Sequence, residues 1–210
     1  MSLRLPHFSS AAALGRDCLL CGGDSSNEMI CARCVSSLPL LDHDGEGPVA
    51  PFEYRFPVDR LVQRFKFAGD LAIGHWLSMR LAASARVACR PDVLVPVPVT
   101  HARLRERGFN QAAQIARTVS RELGIPASLR VLDRVRDAPA QSALGRRARR
   151  ANLRGAFACR RRLDGRHVAL VDDVVTTGAT AEAASRALKR AGAVRVDVWA
   201  IARTPDPSDR

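Results

Sequence analysis

Lysine is almost missing from this chain: Lys66 and Lys189 stand alone, and the other 31 of its 33 basic residues are arginine. Aromatic residues are scarce too, with seven Phe, two Trp and one Tyr. That scarcity argues against a surface that stacks many unpaired bases, which needs a series of aromatic platforms. No run approaches the roughly eighteen apolar residues of a membrane span, so an integral helical membrane protein is excluded. Pro6, His7, Ser9 and Ser10 interrupt any signal-peptide core ahead of Arg16-Asp17, and a cytoplasmic location is expected. What is present is ordinary for a globular protein: 47% hydrophobic and 26% charged residues over 210 positions, enough for a real core.

The charge is uneven. The chain carries +12, but residues 1–57 set four arginines against seven acids, so that segment is −3 and the remainder +15. Residues 130–166 hold twelve arginines against Asp133, Asp137 and Asp164. A G+C-rich coding sequence accounts for arginine bias at surface positions. Guanidinium forks also match oxyanions well, so composition alone does not separate nucleic acid, nucleotide and no partner at all. The charge shift and the turn-rich stretch Asp42-His43-Asp44-Gly45-Glu46-Gly47-Pro48 place a boundary there. The expected domains are a small module over 1–47 and a larger one over 48–210.

Four of the six cysteines form two Cys-x-x-Cys pairs, Cys18/Cys21 and Cys31/Cys34. Two residues between thiolates let one tight turn aim both sulfurs at one ion, and a second turn completes a tetrahedral shell, the geometry of structural zinc. Gly22-Gly23 suits such a turn. Disulfides or a redox pair are the competing readings, and two pairs in tandem favour metal. All four ligands are used, so zinc is expected to hold the module together and not to catalyse. Cys89 and Cys159 are isolated and read as packing or surface residues.

In the larger domain, Val58–Ala85 shows helical periodicity broken at Gly69-Asp70, with Trp76, Phe65 and Phe67 read as core. The segment 92–99 is a strand whose Pro96 and Pro98 mark its emergence into a loop. A helix over about 110–123 stops at Gly124. Further strands are expected at 128–135, 154–159, 167–171 and 194–202, with a helix over 179–191. Strands alternating with helices indicate an α/β domain with a mostly parallel sheet.

The chemistry concentrates in Val168-Ala-Leu-Val-Asp172-Asp173-Val-Val-Thr176-Thr177-Gly178-Ala179-Thr180. A buried strand ends in adjacent carboxylates, and a hydroxyl-rich glycine loop then opens a helix. Ligands in open parallel sheets bind beyond the carboxyl ends of the strands. The loop and helix start suit a phosphate, while Asp172 and Asp173 suit the hydroxyls of a ribose carrying it. Helix capping alone explains one acid or one threonine, not an apolar strand delivering the whole set.

This run resembles the phosphoribosyl pyrophosphate (PRPP) signature of type I phosphoribosyltransferases. The segment Pro96-Val-Pro98-Val-Thr-His-Ala-Arg103-Leu-Arg105-Glu-Arg107-Gly108-Phe109-Asn110-Gln111 and Gln141-Ser142 with the arginines up to Asn152 resemble the ComF competence family, as does the order zinc module, then transferase domain. The resemblance implies a type I phosphoribosyltransferase fold, with Asp172 and Asp173 as the ribose-binding acids. It makes Thr176, Thr177, Gly178, Ala179 and Thr180 the 5′-phosphate loop, Thr100–Arg107 the pyrophosphate loop and 137–152 a hood over the site. Read as an extended segment, Arg103, Arg105 and Arg107 point the same way toward the leaving group. Mg²⁺ would accompany PRPP. Thr176 stands where 6-oxopurine enzymes carry an acid, which disfavours a 6-oxopurine acceptor. The family also implies a link to natural transformation. The alternative function is therefore a non-catalytic competence accessory binding single-stranded DNA through Arg146–Arg154, or binding other competence proteins.

Overall fold

The computed structural model describes residues 17–26, 28–42, 47–136, 153 and 155–204. The arginine cluster and hood segment, 137–152 and 154, lie outside the described residues. The chain forms two compact units, Met1–Leu38 and Pro39–Arg210. They part ahead of the turn-rich stretch because residues 39–41 join the second unit: Leu40 bridges Phe52, and the Leu41 N–H donates to the Pro51 carbonyl at 2.9 Å.

In the first unit Asp17 bridges Asp24 in antiparallel fashion, closing a turn over Gly22 and Gly23, and helix α1 (Ala32–Ser36) starts from Cys31. The first cysteine pair therefore sits on a tight turn, and the second on the opening turn of a helix, where Cys31 is the N-cap and Cys34 lies in α1.

The second unit is built on a parallel sheet of four strands in the order β1 (Phe52–Glu53), β6 (Arg195–Arg203), β5 (His167–Val175), β2 (Val93–Pro96). Its buried middle is legible in the run Val168–Val171, each residue 0% exposed. Alternate residues of β5 serve opposite faces. Val168 and Leu170 pack in the cluster with α6 (Ala179–Arg190) and with the antiparallel pair β3 (Leu132–Arg134) and β4 (Phe157–Cys159). The other face receives α3 (Leu71–Ala85) and α5 (Gln111–Leu123), and α2 (Val58–Phe67) packs on α3. The expected strands near 128–135 and 154–159 thus exist, but as a separate ladder and not in the main sheet.

Three local choices shape the carboxyl end of this sheet. First, Pro96 is the last residue of β2 and pairs with Val171, so β5 runs on through Val175 with no strand partner on that side among the described residues. Strand β5 is longer than expected, and Asp172 and Asp173 lie within it, directly beyond the point where β2 stops. Second, residues 101–107 are not extended. Thr100 Oγ1 caps the Arg103 N–H at 3.2 Å, and Gly108, at φ 76°, closes a short helix α4 (His101–Arg107). Third, α2 buries Val58, Leu61, Val62 and Phe65 at helical spacing, which leaves Phe67 on the outer face at 65% exposure. Phe67 is therefore not core; Phe65 and Trp76 are, with Trp76 stacked on Phe52 at 6.1 Å.

The α2–α3 contact depends on Gly74. A Cβ there would lie 2.3 Å from the Phe65 ring, leaving no room for even a methyl group. Gly74→Ala is expected to lower stability by about 1–3 kcal/mol through overpacking. The shift should appear in the denaturation midpoint, and an unchanged midpoint would refute this packing.

Candidate functional site

Beyond the end of β2 lies a cavity of about 350 Å³ within the second unit. Asp172 and Asp173 form its floor. The strand alternation divides them. Asp172 also borders a small hollow of about 30 Å³ made by the loop Thr176–Thr180, while Asp173 meets Lys66 of α2, its Oδ1 3.0 Å from the ammonium. Asp172 Oδ1 accepts the N–H of Asp173 at 2.8 Å. Burial, reinforced by the charge of Asp173, nevertheless pushes the Asp172 carboxyl up to about 7.

The loop from β5 to α6 places Gly178 at φ 69°, a left-handed conformation that glycine adopts without strain, and α6 begins immediately after it. Thr176 and Thr180 line both the hollow and the larger cavity, whereas Thr177, Gly178 and Ala179 line the hollow alone. All five predicted loop residues are thus gathered around one space.

The arginines divide differently. In helix α4, positions four apart share a face. Arg103 and Arg107 both line the cavity, and Arg105 does not. Burial, and then the charge of Arg103, hold the Arg107 guanidinium below its ordinary value. Its Nη1 donates to Gln111 at 3.4 Å, its Cζ lies 4.8 Å from the centre of the Phe67 ring, and its Nε is buried without a hydrogen-bond partner. Two neighbouring guanidiniums with an unsatisfied buried donor are arranged for an anion.

The remaining wall comes from residues not expected at the site. Gln63, Lys66 and Phe67 project from one face of α2, Arg134 from β3, and Tyr54 from beyond β1. Gln111 is 1% exposed and acts as a clamp: its Nε2 donates to the Lys66 carbonyl at 3.4 Å while its Oε1 holds Arg107. Asn110 caps α5 and donates through Nδ2 to the Val97 carbonyl at 3.1 Å. One signal does point to Lys66: it is a lysine in a chain whose basic positions are otherwise almost all arginine.

In the first unit the sulfurs of Cys18, Cys21, Cys31 and Cys34 all lie within 4.8 Å of one another, Cys21 and Cys31 at 3.9 Å. Bonds of about 2.3 Å to a tetrahedral zinc set sulfurs about 3.8 Å apart, so the four fit one ion. Burial raises the Cys18 thiol, but N–H groups of Cys31, Cys21 and Leu20 outweigh it and bring it down to about 6. Burial and the neighbouring thiols push Cys34 up to about 12. Only a shared cation would keep all four as thiolates.

Metal analysis of protein purified without chelator is expected to give about one zinc per chain. Chelation should then unfold residues 17–38; a metal-free, folded module would overturn the assignment. For Asp172, the raised native value means that the folded state holds its proton above the ordinary carboxylate range, near 3.8. Stability from this group is therefore complete below about pH 4, falls as pH rises toward 7, and is level above that. Asp172→Asn should abolish that fall and add on the order of 1–3 kcal/mol at pH 8. Parallel melting curves of both proteins against pH would refute it.

The matches to known proteins bear on the same residues. Residues 109–209 match the phosphoribosyl transferase domain family. The chain is 35% identical over 182 residues to Competence protein F of Haemophilus influenzae, spanning 82% of this chain and 78% of that protein. It is 32% identical over 218 residues to DNA utilization protein YhgH of Escherichia coli (strain K12), spanning 97% and 94%. Among solved structures, it is similar to the glutamine PRPP amidotransferase of B. subtilis complexed with ADP and GMP. That likeness has 24% identity and a TM-score of 0.43, and covers 61% of this chain and 26% of that one. With identities above 30% sustained over most of both chains, this protein, with its four-cysteine module and its type I phosphoribosyltransferase fold, belongs to the ComF competence family.

Proposed function

We propose that the cavity binds PRPP, or a closely related ribose 5-phosphate ligand, and that its residues are arranged to transfer the phosphoribosyl group. One observation carries this reading: a single cavity sets a carboxylate pair against cations from three separate elements, Lys66, Arg103, Arg107 and Arg134. A ligand matching it must carry hydroxyls at one point and several negative charges at others.

In this reading Asp172 and Asp173 accept hydrogen bonds from the ribose hydroxyls, and the 5′-phosphate occupies the hollow of the Thr176–Thr180 loop. Arg103 and Arg107 take the diphosphate. When the bond from C1 to the diphosphate oxygen breaks, the electron pair leaves with pyrophosphate and positive charge builds on the sugar. The guanidiniums stabilise the first and the carboxylates the second, by position and electrostatics. An acceptor nucleophile then bonds to C1. Asp172 and Asp173 would be the carboxylate oxygens offered to a divalent ion, and with Asp173 already engaged by Lys66, Mg²⁺ would fit as an ion brought by the diphosphate. When bound, it neutralises phosphate charge.

Among the described residues no helix is long and apolar enough to cross a membrane. Four thiols grouped for a metal accord with a reducing, cytoplasmic setting. The names of the relatives connect them to competence and to DNA utilization, and we extend that setting to this chain. The arginine cluster that would contact a DNA backbone lies outside the described residues.

Titration calorimetry with PRPP and Mg²⁺ tests the reading. The wild type should bind. Asp173→Asn, Arg103→Ala and Arg107→Ala should each weaken binding by about 10- to 100-fold, the worth of a charge-assisted hydrogen bond. Arg105→Ala should change it less than about twofold, because α4 turns that side chain away. No binding by the wild type, or equal losses at all three arginines, would overturn the assignment.

A further inference from the structure

Resting on the phosphoribosyl reading, we propose that Lys66 is a resident cation of the site. Its ammonium is shared between Asp173 and the arriving diphosphate, and it performs there the neutralisation that a protein-bound divalent ion would otherwise supply.

The geometry isolates this residue. Adjacent carboxylates repel each other and repel any phosphate brought to the same cavity. A cation between them is therefore a condition of binding. Lys66 Nζ is already 3.0 Å from Asp173 Oδ1, both side chains are less than one fifth exposed, and both line the cavity. Its backbone is fixed independently, because Gln111 binds the Lys66 carbonyl and, through its other amide atom, Arg107. The Asp173 cation and the nearest leaving-group cation are thus held by one buried side chain.

The residue type supports the role. Lysine survives at two positions in a chain with 31 arginines, and one of them is here. An ammonium is a compact point charge that carboxylate and phosphate oxygens approach from several sides, whereas a guanidinium commits its donors to one plane. The same ammonium occupies an oxygen of Asp173 that a divalent ion would need. The carboxylate pair is therefore poorly suited to a tightly held metal of its own, and the ion that travels with the diphosphate suffices.

The test is PRPP affinity, by calorimetry, across a Mg²⁺ series from chelator to excess. For the wild type, removing Mg²⁺ should weaken binding by less than about tenfold. In Lys66→Met the same change should weaken it by about 100-fold or more, the loss of a charge-assisted contact, with excess Mg²⁺ restoring most of the affinity. Lys66→Arg, which keeps the charge but not the compact ammonium, should fall between the wild-type and Lys66→Met curves. Circular dichroism and melting confirm that both variants are folded. If Lys66→Met tracks the wild type at every Mg²⁺ concentration, or if Lys66→Arg fails like Lys66→Met, the resident-cation role is overturned. A wild type that binds no PRPP at any Mg²⁺ concentration sinks the phosphoribosyl reading instead.

Discussion

Consecutive carboxylates just past the buried stretch of a strand repel each other, and neighbouring structure must hold them in place. Pleating sends Asp172 and Asp173 to opposite faces of β5, which separates their side chains and gives each a different neighbour. Asp173 meets an ammonium from α2. Asp172 meets the glycine-threonine loop, and its carboxyl, driven upward by burial, holds its proton into the neutral range. The early end of β2 matters equally, because a full-length neighbour would close the edge along which the cavity opens. Pro96 and Pro98, poor residues for a continuing strand, help keep that edge open.

The walls answer this floor from distant parts of the sequence. Helix α2 contributes Lys66 and Phe67, α4 contributes Arg103 and Arg107, and β3 contributes Arg134. Gln111 joins the first two walls, donating to α2 and accepting from α4. Packing fixes the rest: Phe65 seats against Gly74 on one side and Phe109 on the other, at 5.7 Å between rings, so the end of α2 has little freedom relative to α3 and α5.

Much of this is readable from sequence wherever a residue pattern has a local cause. Val168–Thr180 declares strand, acids, loop and helix in order, and the Cys-x-x-Cys pairs declare a four-sulfur cluster. Gly69-Asp70 separates two helices because Asp70 caps the second, accepting the Ile73 N–H at 3.2 Å. The misreadings fall where the cause is not local. Residues 101–107 hold too few apolar side chains to reveal a period, so they read as alternating where Thr100 and Gly108 in fact close a helix; this moves Arg105 off the site. Phe67 reads as core by its hydrophobicity, although the phase of α2 has already spent its buried stripe on Phe65. Arg134 becomes a site residue only through tertiary placement, and Lys66 carries no signal beyond being a rare lysine.

The clamp at Gln111 has a consequence for how this fold divides. The segment matching the phosphoribosyl transferase domain, 109–209, contains the acids, the glycine-threonine loop and Gln111, but not α2 or α4. In the proposed reading, the part of the cavity that would take sugar and 5′-phosphate thus belongs to the segment matched by the domain family, and the part that would meet the departing anion is supplied by upstream helices. On that proposal, exchanging those helices while keeping the matched segment would leave ribose recognition in place and alter what the site tolerates opposite it. In modular terms, the matched segment would fix which donor enters, and the upstream helices would set how its charge is balanced.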